Sequence, residues 1–273
     1  MNKHQRQEAI LGILRDSEFA SVRELAENFA VSPMTIRRDL SVLERAELAR
    51  AVHGGAVLNK VQEDGLPPTD LEYSFSVQRR ERQREKSLIG ARAAQLISEG
   101  DVIIVDSGTT TEALVRAIPA ELSITVVCYA ANIFDIGRHR TNWRLILAGG
   151  HFHSGDLMFE SSEGLVLIEN TRATKAFLAA GGVSDRLGLT CVNRYETETK
   201  KAAIRSSLSV ILLADSSKFG IVTPSHFAEL REIDTVITDD GISQEYREIM
   251  QHAGVECLIA SSPDFEKTAS HSV

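Results

Sequence analysis

The sequence predicts an α/β protein of two domains: a small helical domain closed by a β-hairpin, then a larger domain built on a parallel-rich sheet. The length of 273 residues suits about two domains of roughly 100–200 residues each. A stretch rich in Gly, Pro and acidic residues, Val61 to Ser74, divides the chain. Beyond it, short apolar strands alternate with amphipathic helices. These observations place the first domain at 1–58, a linker at 59–84, the second domain at 85–260 and a flexible tail at 261–273.

The composition favours an ordinary globular protein of a reducing compartment. Hydrophobic residues make up 43% and charged residues 25% of the chain, which excludes disorder for its bulk. No apolar run approaches the ~20 residues of a membrane helix, and the N-terminus lacks the apolar region of a secretory signal. The three cysteines are far apart and form no C-x-x-C pair. We therefore expect a cytoplasmic protein with no membrane contact, no structural zinc and no cofactor.

The net charge of −8 conceals two unlike parts. The first 60 residues carry 9 Lys and Arg against 8 Asp and Glu, whereas the remainder is strongly acidic. The overall charge therefore gives no argument against a nucleic-acid partner for the first domain.

Three short helices are predicted in the first domain. His4 to Asp16 places Ile10 and Leu14 on one helical face. Ser21 and Glu24 have the spacing of a capping box, which begins a second helix of about eight residues. Ser32 and Pro33 begin the third, as N-cap and first helical residue.

The third helix, predicted from Pro33 to Glu47, has a polar and basic outward face. Two short helices joined by a tight turn, with such a face on the second, are typical of a helix-turn-helix. Arginines there can neutralise phosphates or contact guanine, and short hydroxyl side chains can bind phosphate oxygens. The DNA-contacting residues predicted on and beside this helix are Ser32, Met34, Thr35, Arg37, Arg38, Ser41 and Arg45.

A hairpin wing is predicted from Leu48 to Asn59, around Gly54 and Gly55. Arg50 and His53 of this wing are expected near the DNA backbone. The alternative for the whole first domain is a small helical protein-interaction module whose arginines are only solvated.

The second domain repeats β-α units, which predicts a parallel sheet covered by helices on both faces. Ligands bind such sheets outside the carboxyl ends of the strands. The predicted strands are Val102 to Val105, Ser123 to Cys128, Trp143 to Gly150, Lys175 to Gly182, Val210 to Asp215 and Asp234 to Asp239.

Residues suited to a phosphate follow several of these strands. Asp106 to Thr111 offers backbone N–H groups, hydroxyls and a helix N-terminus. Gly149 and Gly150 allow close backbone approach, and Lys218 can supply a positive charge. No nucleotide-binding glycine motif is present, which disfavours nucleoside triphosphates and dinucleotides.

Other features allow two interpretations. Glu196 and Lys200 share a helical face, and this spacing is compatible with either a ligand-binding pair or a surface ion pair. Ser76 to Ser87 is mixed in charge. It can be interpreted as a solvated helical lead-in to the second domain or as a phosphate-contacting arm. His151 and His153 could bind zinc, but without an evident third ligand a structural or ligand-contact role is favoured. Cys191 is expected to be an inert buried thiol.

Several segments resemble DeoR-type bacterial transcriptional regulators, and together they cover nearly the whole chain. The most specific is S-x-x-T-I-R-R-D-L in the third helix. The others include RQEAILGIL, HGGAV, VIIVDSGTTT, KAFLAAGGV, ETETKKA and LADSSKFG.

The resemblance implies an N-terminal winged helix-turn-helix that binds operator DNA. It also implies an α/β sensor domain related to ribose-5-phosphate isomerase, which binds a phosphorylated sugar that changes operator affinity. By matching position, the effector-binding residues are Asp106, Ser107, Gly108, Thr109, Thr110, Thr111, Glu196, Lys200 and Lys218.

One position departs from the family pattern. Many members have Asn where this chain has Tyr129. The strings around Tyr129, His151 and Cys191 look most similar to the branch whose effector is deoxyribose 5-phosphate. We therefore include Tyr129 in the predicted site, with the hypothesis that it packs against a sugar lacking one hydroxyl.

These observations together predict a homo-oligomeric repressor of a sugar or deoxynucleoside catabolism operon, with no enzymatic activity, released by a phosphorylated sugar. The alternative is a sugar-phosphate isomerase-like enzyme with an accessory DNA-binding domain, in which Glu196 acts as general base.

Overall fold

The computed structural model describes residues 3–17, 19–45, 49–52, 55–58 and 75–261. The chain forms two compact units, Met1–Asp70 and Leu71–Val273. None of the helices in these described ranges has the length and apolar character that a membrane crossing requires.

The first unit is a winged helix-turn-helix, as predicted. Its third helix is described to Arg45, and the predicted end at Glu47 lies outside the described residues. The three strands form an antiparallel sheet in the order β1-β3-β2. The elements are α1 (Lys3–Ser17), β1 (Phe19–Ser21), α2 (Val22–Asn28), α3 (Pro33–Arg45), β2 (Ala49–Val52) and β3 (Gly55–Leu58).

Local sequence accounts for the turn between α2 and α3. The predicted capping box is present: the N–H of Glu24 donates to Ser21 Oγ at 3.1 Å, and the N–H of Ser21 donates to Glu24 Oε2 at 3.0 Å. Ala30 adopts a left-handed φ of 50° in the connection, which redirects the chain within a few residues. Ile10, Leu14 and other apolar residues of the three helices form one buried cluster.

An ion pair that the sequence did not reveal joins α1 to α3. Arg6 Nε lies 2.6 Å from Asp39 Oδ2, and Gln7 Nε2 donates to Asp39 Oδ1 at 3.1 Å. Asp39 is only 1% exposed. The pair therefore fixes the helix that carries the predicted DNA-contacting face.

The second unit is an α/β domain built around one large sheet, with a smaller sheet and a hairpin beside it. Its helices are α4 (Phe75–Arg80), α5 (Gln83–Ala94), α6 (Thr109–Ala117), α7 (Ala131–Gly137), α8 (Ser162–Asn170), α9 (Glu196–Arg205) and α10 (Gln244–His252). Its strands are β4 (Val102–Val105), β5 (Thr125–Cys128), β6 (Arg144–Leu147), β7 (His151–His153), β8 (Met158–Glu160), β9 (Ala173–Ala179), β10 (Gly182–Ser184), β11 (Gly188–Cys191), β12 (Ser207–Leu213), β13 (Ser225–Ala228), β14 (Thr235–Asp239) and β15 (Glu256–Ala260).

Seven parallel strands form the central sheet in the order β15-β14-β12-β9-β4-β5-β6. The six predicted strands all lie in it, so the prediction of a parallel sheet is confirmed. Apolar clusters cover both faces, with α5 to α7 on one side and α8 to α10 on the other. From β4 the chain adds strands toward β6, and it then returns to add β9 and its successors on the other side of β4. The order therefore reverses between β4 and β9, which is where open α/β sheets form ligand crevices.

Some elements were not predicted. The hairpin β7–β8, the antiparallel sheet β10-β11-β13 and the edge strand β15 lie outside the β-α pattern. Residues 75–84 were assigned to the linker and form α4 and the beginning of α5, so they are helical as the lead-in weighed for Ser76 to Ser87 would be. Phe75 at the start of α4 is buried, and its N–H donates to the carbonyl of Gly155 at 3.0 Å, so α4 packs against the rest of the second unit.

Candidate functional site

A pocket opens at the point where the strand order reverses, outside the carboxyl ends of β4, β9 and β12. It combines a helix N-terminus, the buried Lys86, the half-buried Lys218 and a group of buried carboxyls. Its lining residues are Gln78, Lys86, Ser107, Gly108, Thr109, Thr110, Asp156, Ala179, Ala180, Gly181, Cys191, Val192, Glu196, Lys200 and Lys218.

Asp106, predicted to bind the effector, follows β4 and is completely buried beneath the pocket rather than part of its lining. Its Oδ1 accepts hydrogen bonds from the N–H of Ser107 and the hydroxyl of Tyr129, at 2.8 and 2.7 Å. Its Oδ2 accepts from the N–H of Ala179 at 2.8 Å and from Lys200 Nζ. Asp106 therefore joins the ends of three neighbouring strands, β4, β5 and β9, to helix α9.

The N-terminus of α6 forms one wall. Gly108 precedes the helix with a φ of 140°, a region that favours glycine, and this turn brings Ser107, Thr109 and Thr110 to the pocket. Backbone N–H groups in the first turn of a helix have no intrahelical acceptor. Together with the hydroxyls and the helix dipole, they suit an anion such as phosphate.

Two lysines supply positive charge beside this helix. Lys218 Nζ donates to Gln78 Oε1 at 3.1 Å. Lys86 is 4% exposed, and its Nζ donates to the carbonyl oxygens of Gln78 and, at 2.9 Å, Glu81. Burial lowers the pKa of Lys86, while Asp215 opposes the shift and Lys218 adds to it. Both lysines thus have only neutral acceptors among these hydrogen bonds, and a phosphate would be a stronger partner for them.

The pocket lining also carries carboxyl groups, those of Glu196 and Asp156. Glu196 Oε1 accepts from the N–H of Asn193 at 3.1 Å, and Asp156 Oδ2 accepts from Asn193 Nδ2 at 3.3 Å. Burial raises the pKa of both carboxyls above their ordinary values. Carboxyl oxygens can accept hydrogen bonds from the hydroxyls of a sugar.

Lys200 links Glu196 of the pocket lining to the buried Asp106. Its Nζ donates to the carbonyl of Ala179 at 3.1 Å and lies 3.5 Å from Glu196 Oε2, besides its contact with Asp106. Burial disfavours the charged amine, but Asp106 and Glu196 outweigh it and raise the pKa of Lys200. Glu196 and Lys200 are therefore a buried pair, and the surface ion pair weighed as the alternative is not what the structure shows.

Several residues predicted to bind the effector are not at the pocket surface. Tyr129 and Thr111 are completely buried, Tyr129 beneath Asp106 and Thr111 with its hydroxyl on the carbonyl of Gly108 at 3.0 Å. Gly149 and Gly150 lie at the base of the β7–β8 hairpin, where Gly149 accepts a hydrogen bond from Ser161 Oγ at 2.7 Å. At Gly150, a side chain would collide with the backbone of Glu160. These glycines serve hairpin packing because the chain after β6 turns into β7.

Three polar or charged side chains of the pocket lining were missed: Gln78, Lys86 and Asp156. Gln78 and Lys86 come from the segment interpreted as a solvated lead-in, and Asp156 from the hairpin connection. The sequence signal available was Lys86 itself, a lysine on the otherwise apolar face of a helix that includes Ile89 and Ala93.

The remaining candidates have structural surroundings. Burial raises the pKa of the Cys191 thiol to about 12, as expected for an inert thiol. His153 stacks on Tyr195 with ring centroids 3.7 Å apart and contacts Glu160 at 2.8 Å. No group of three potential metal ligands occurs within the part of the chain that the structure describes.

The outward face of α3 is polar and solvent-accessible. Ser32, Arg37 and Arg38 are exposed, Met34 is 55% exposed, and Thr35 and Ser41 are half-buried. Ser32 Oγ accepts from the N–H of Thr35 at 3.2 Å and lies 2.9 Å from its hydroxyl, which is the predicted cap. The side chains of Arg45 and Arg50, and all of His53, lie outside the described residues.

Comparison with known protein families decides what this combination of units is. Residues 81–240 match the family model of the DeoR C terminal sensor domain, and residues 6–62 match that of the DeoR-like helix-turn-helix domain. The chain belongs to the DeoR family. It is therefore a DNA-binding transcriptional regulator with a sensor domain, and the pocket lies in that sensor domain.

Curated relatives agree over nearly their whole length. The chain is 31% identical to the HTH-type transcriptional regulator GolR of Listeria innocua, over 94% of this chain and 98% of the relative. It is 30% identical to the glycerol-3-phosphate regulon repressor of Escherichia coli, over 88% and 92%. It is also 30% identical to the deoxyribose operon repressor of Escherichia coli, over 91% and 95%.

Among solved structures, ribose 5 phosphate isomerase A from Neisseria gonorrhoeae resembles this DeoR-family regulator with a TM-score of 0.35 and 15% identity. The likeness covers 49% of this chain and 52% of that chain. It is too partial to add to the family assignment.

Proposed function

We propose that this DeoR-family regulator represses an operon for sugar or deoxynucleoside catabolism and that a phosphorylated sugar releases it from the operator. The observation that carries the proposal is the division of the pocket. The lining combines two sets of groups: the α6 N-terminus with Lys86 and Lys218, and the carboxyl groups of Glu196 and Asp156. A phosphate suits the first set, and the hydroxyls of a sugar suit the second.

Deoxyribose 5-phosphate is the first candidate effector. One relative is named as the deoxyribose operon repressor, and this chain covers 95% of it. Another is named for glycerol 3-phosphate, a smaller phosphorylated polyol. The same division of charge accommodates either molecule, so the length of the carbon chain is the variable that a ligand panel has to test.

The DNA-binding surface in this proposal is the outward face of α3 and the wing. Arg37 and Arg38 contact phosphates or base edges, and Met34 contacts bases from its exposed position. The other contacts proposed are Ser32, Thr35, Ser41, Arg45, Arg50 and His53.

We further propose that the protein acts in the cytoplasm as a homo-oligomer, since helix-turn-helix proteins read two-fold symmetric operators as dimers. Effector and operator then weaken each other's binding by the same factor.

The test begins with DNA fragments that the full-length protein selects from a random pool. Binding of the selected fragment is followed by fluorescence anisotropy against deoxyribose 5-phosphate, ribose 5-phosphate and glycerol 3-phosphate, with free sugars and inorganic phosphate as controls. We expect release by a phosphorylated sugar and not by its free sugar. Lys218→Ala should weaken the effector at least tenfold. Lys201→Ala, which removes a surface lysine of α9, is the matched control.

An isomerase-like enzyme is the second candidate, and the raised pKa of Glu196 is the observation that favours it. Turnover of ribose 5-phosphate that is lost in Glu196→Gln would support the enzyme. We propose that there is none, because Glu196 is held by Lys200 and Asn193 in a satisfied network.

A further inference from the structure

The segment 75–82, which contains α4, closes one side of the effector pocket. It is the first described part of the second unit, so the chain leaving the DNA-binding unit enters the sensor domain through it. Phe75 is buried at its beginning, and Gln78 lines the pocket. The pocket therefore has direct contact with the segment that leads to the DNA-binding unit.

This segment provides hydrogen-bond acceptors for both lysines beside the α6 N-terminus. The side-chain oxygen of Gln78 binds Lys218, and the carbonyl oxygens of Gln78 and Glu81 bind Lys86. Gln78 thus contacts both cations, one through its side chain and one through its backbone.

The end of the segment is anchored independently of the lysines. Arg82 has a left-handed φ of 49°. Its Nε lies 3.2 Å from Asp215 Oδ1, and its Nη2 lies 3.2 Å from Asp239 Oδ2. These carboxylates follow β12 and end β14, outside the pocket lining. A change at the lysines can therefore loosen α4 while residue 82 stays attached to the sheet.

A phosphate at the α6 N-terminus competes directly with Gln78. A phosphate oxygen carries negative charge and an amide oxygen does not, so Coulomb attraction makes phosphate the stronger partner of the Lys218 ammonium. Lys218 has one amide acceptor to exchange, which makes the exchange favourable once phosphate is bound. The segment 75–82 then loses the hydrogen bond between Gln78 and Lys218, which joins its middle to the loop after β12.

We propose that Gln78 reports effector occupancy: phosphate on Lys218 displaces the Gln78 amide and loosens the segment that leads to the DNA-binding unit. The inference rests on the proposed function, because it requires a phosphorylated effector. Gln78 is a positioning residue here, acting through Lys218. Since the closed segment and the bound effector exclude each other, weakening the Gln78 contact should favour effector and disfavour operator.

The experiment compares two substitutions of Gln78 with a matched control in the full-length protein. Gln78→Ala removes the acceptor, and Gln78→Glu gives Lys218 a charged partner. Gln95→Ala removes an exposed glutamine at the end of α5, whose side chain contacts only Arg92 among the hydrogen bonds described. Affinities for deoxyribose 5-phosphate, ribose 5-phosphate and inorganic phosphate, and for the selected DNA, are measured for each. Hydrogen exchange is followed in residues 75–82, with α10 as reference.

Gln78→Ala should bind the phosphorylated ligand about three- to tenfold more tightly, and the DNA more weakly by a similar factor without ligand. Gln78→Glu should shift both affinities in the opposite direction. In the wild type, ligand should accelerate exchange in 75–82 and leave α10 unchanged.

Two results overturn the inference while the proposed function stands. In the first, the wild type binds a sugar phosphate but Gln78→Ala behaves as Gln95→Ala does. In the second, Gln78→Ala binds the ligand more weakly with unchanged DNA affinity, which makes Gln78 a simple ligand contact. If the wild type binds none of the three probes, the proposed function fails and this inference fails with it.

Discussion

The hydroxyl of Tyr129 donates a 2.7 Å hydrogen bond to Asp106, and both side chains are completely buried beneath the pocket. Tyr129 therefore takes part in holding the Asp106 carboxylate, whose other oxygen contacts Lys200. The hypothesis that Tyr129 packs against a deoxy sugar needs an exposed ring, which this position does not have.

Tyr129→Phe should lower the free energy of unfolding by about 1–2 kcal/mol, because it leaves one bond to a buried carboxylate unmade. The ratio of affinities for deoxyribose 5-phosphate and ribose 5-phosphate should stay as in the wild type. Isothermal titration with both ligands checks this, with Tyr129→Asn as the second variant. A changed ratio in the Phe variant would return Tyr129 to the ligand surface.

Arg38→Ala should weaken binding to the selected DNA and reduce the salt dependence of the binding constant by about one released counterion. Arg38 is exposed on the outward face of α3, where an arginine can reach phosphate. Titrations at several salt concentrations measure the slope. Arg231→Ala removes the same charge from an exposed position of the second unit and is the control. An unchanged slope for Arg38→Ala would refute the assignment of this face.

Asp39→Ala should destabilise the first unit by about 3–5 kcal/mol, the usual cost of removing one partner of a buried ion pair. Arg6 then keeps a charge with no carboxylate between α1 and α3. Hydrogen exchange of α1 and α3, with denaturant unfolding, measures the loss. Glu27→Ala, which removes the exposed partner of Arg23, should cost less than about 1 kcal/mol. Equal losses in the two variants would contradict the role of Asp39.

The contribution of Asp239 should depend on pH. Burial alone would raise the pKa of Asp239, but hydrogen bonds from Ser216 and Gly241, with Arg82 nearby, lower it below its ordinary value. A carboxyl with a lowered pKa stabilises the fold above its unfolded pKa of about 3.9, and this stability is lost as pH falls through the lower folded value.

Asp239→Asn should therefore destabilise the protein at pH 7, by about 1–3 kcal/mol, and the difference from wild type should shrink below about pH 4. Thermal unfolding across this range tests the sign. Asp240→Asn changes the exposed neighbour and should show no such trend. A difference that grows on acidification would contradict the prediction.

The parts of the fold that the sequence predicted share a local cause. Capping at Ser21 and Ser32, the apolar spacing of the first helices and the β-α alternation depend on residues a few positions apart. The contacts it did not predict join distant residues: Arg6 to Asp39, Asp106 to Lys200, and Gln78 to Lys218. Periodicity carries no information about such pairs.

The site shows the same division. Ser107 to Thr110 and Lys218 were predicted because phosphate chemistry has a local signature, whereas Glu196 and Lys200 were assigned to the site by the family resemblance. The structure brings all of these residues to one pocket. Gly149 and Gly150 were placed there by the same reasoning and lie at a hairpin instead. The difference depends on where β6 leads, which the glycines do not determine.

The sequence by itself determined that this protein is a DeoR-type regulator with a winged helix-turn-helix and a parallel α/β sensor domain, because helix caps, apolar period and short motifs are local. Only the tertiary structure decided which polar groups are buried together. Asp106, Tyr129 and Lys200 meet because parallel strands end at one edge of a sheet, whereas the segment 75–82 reaches the pocket by packing. Burial lowers the pKa of Lys86 and raises that of Glu196. These shifts cannot be read from the charges along the sequence, because burial depends on the tertiary structure.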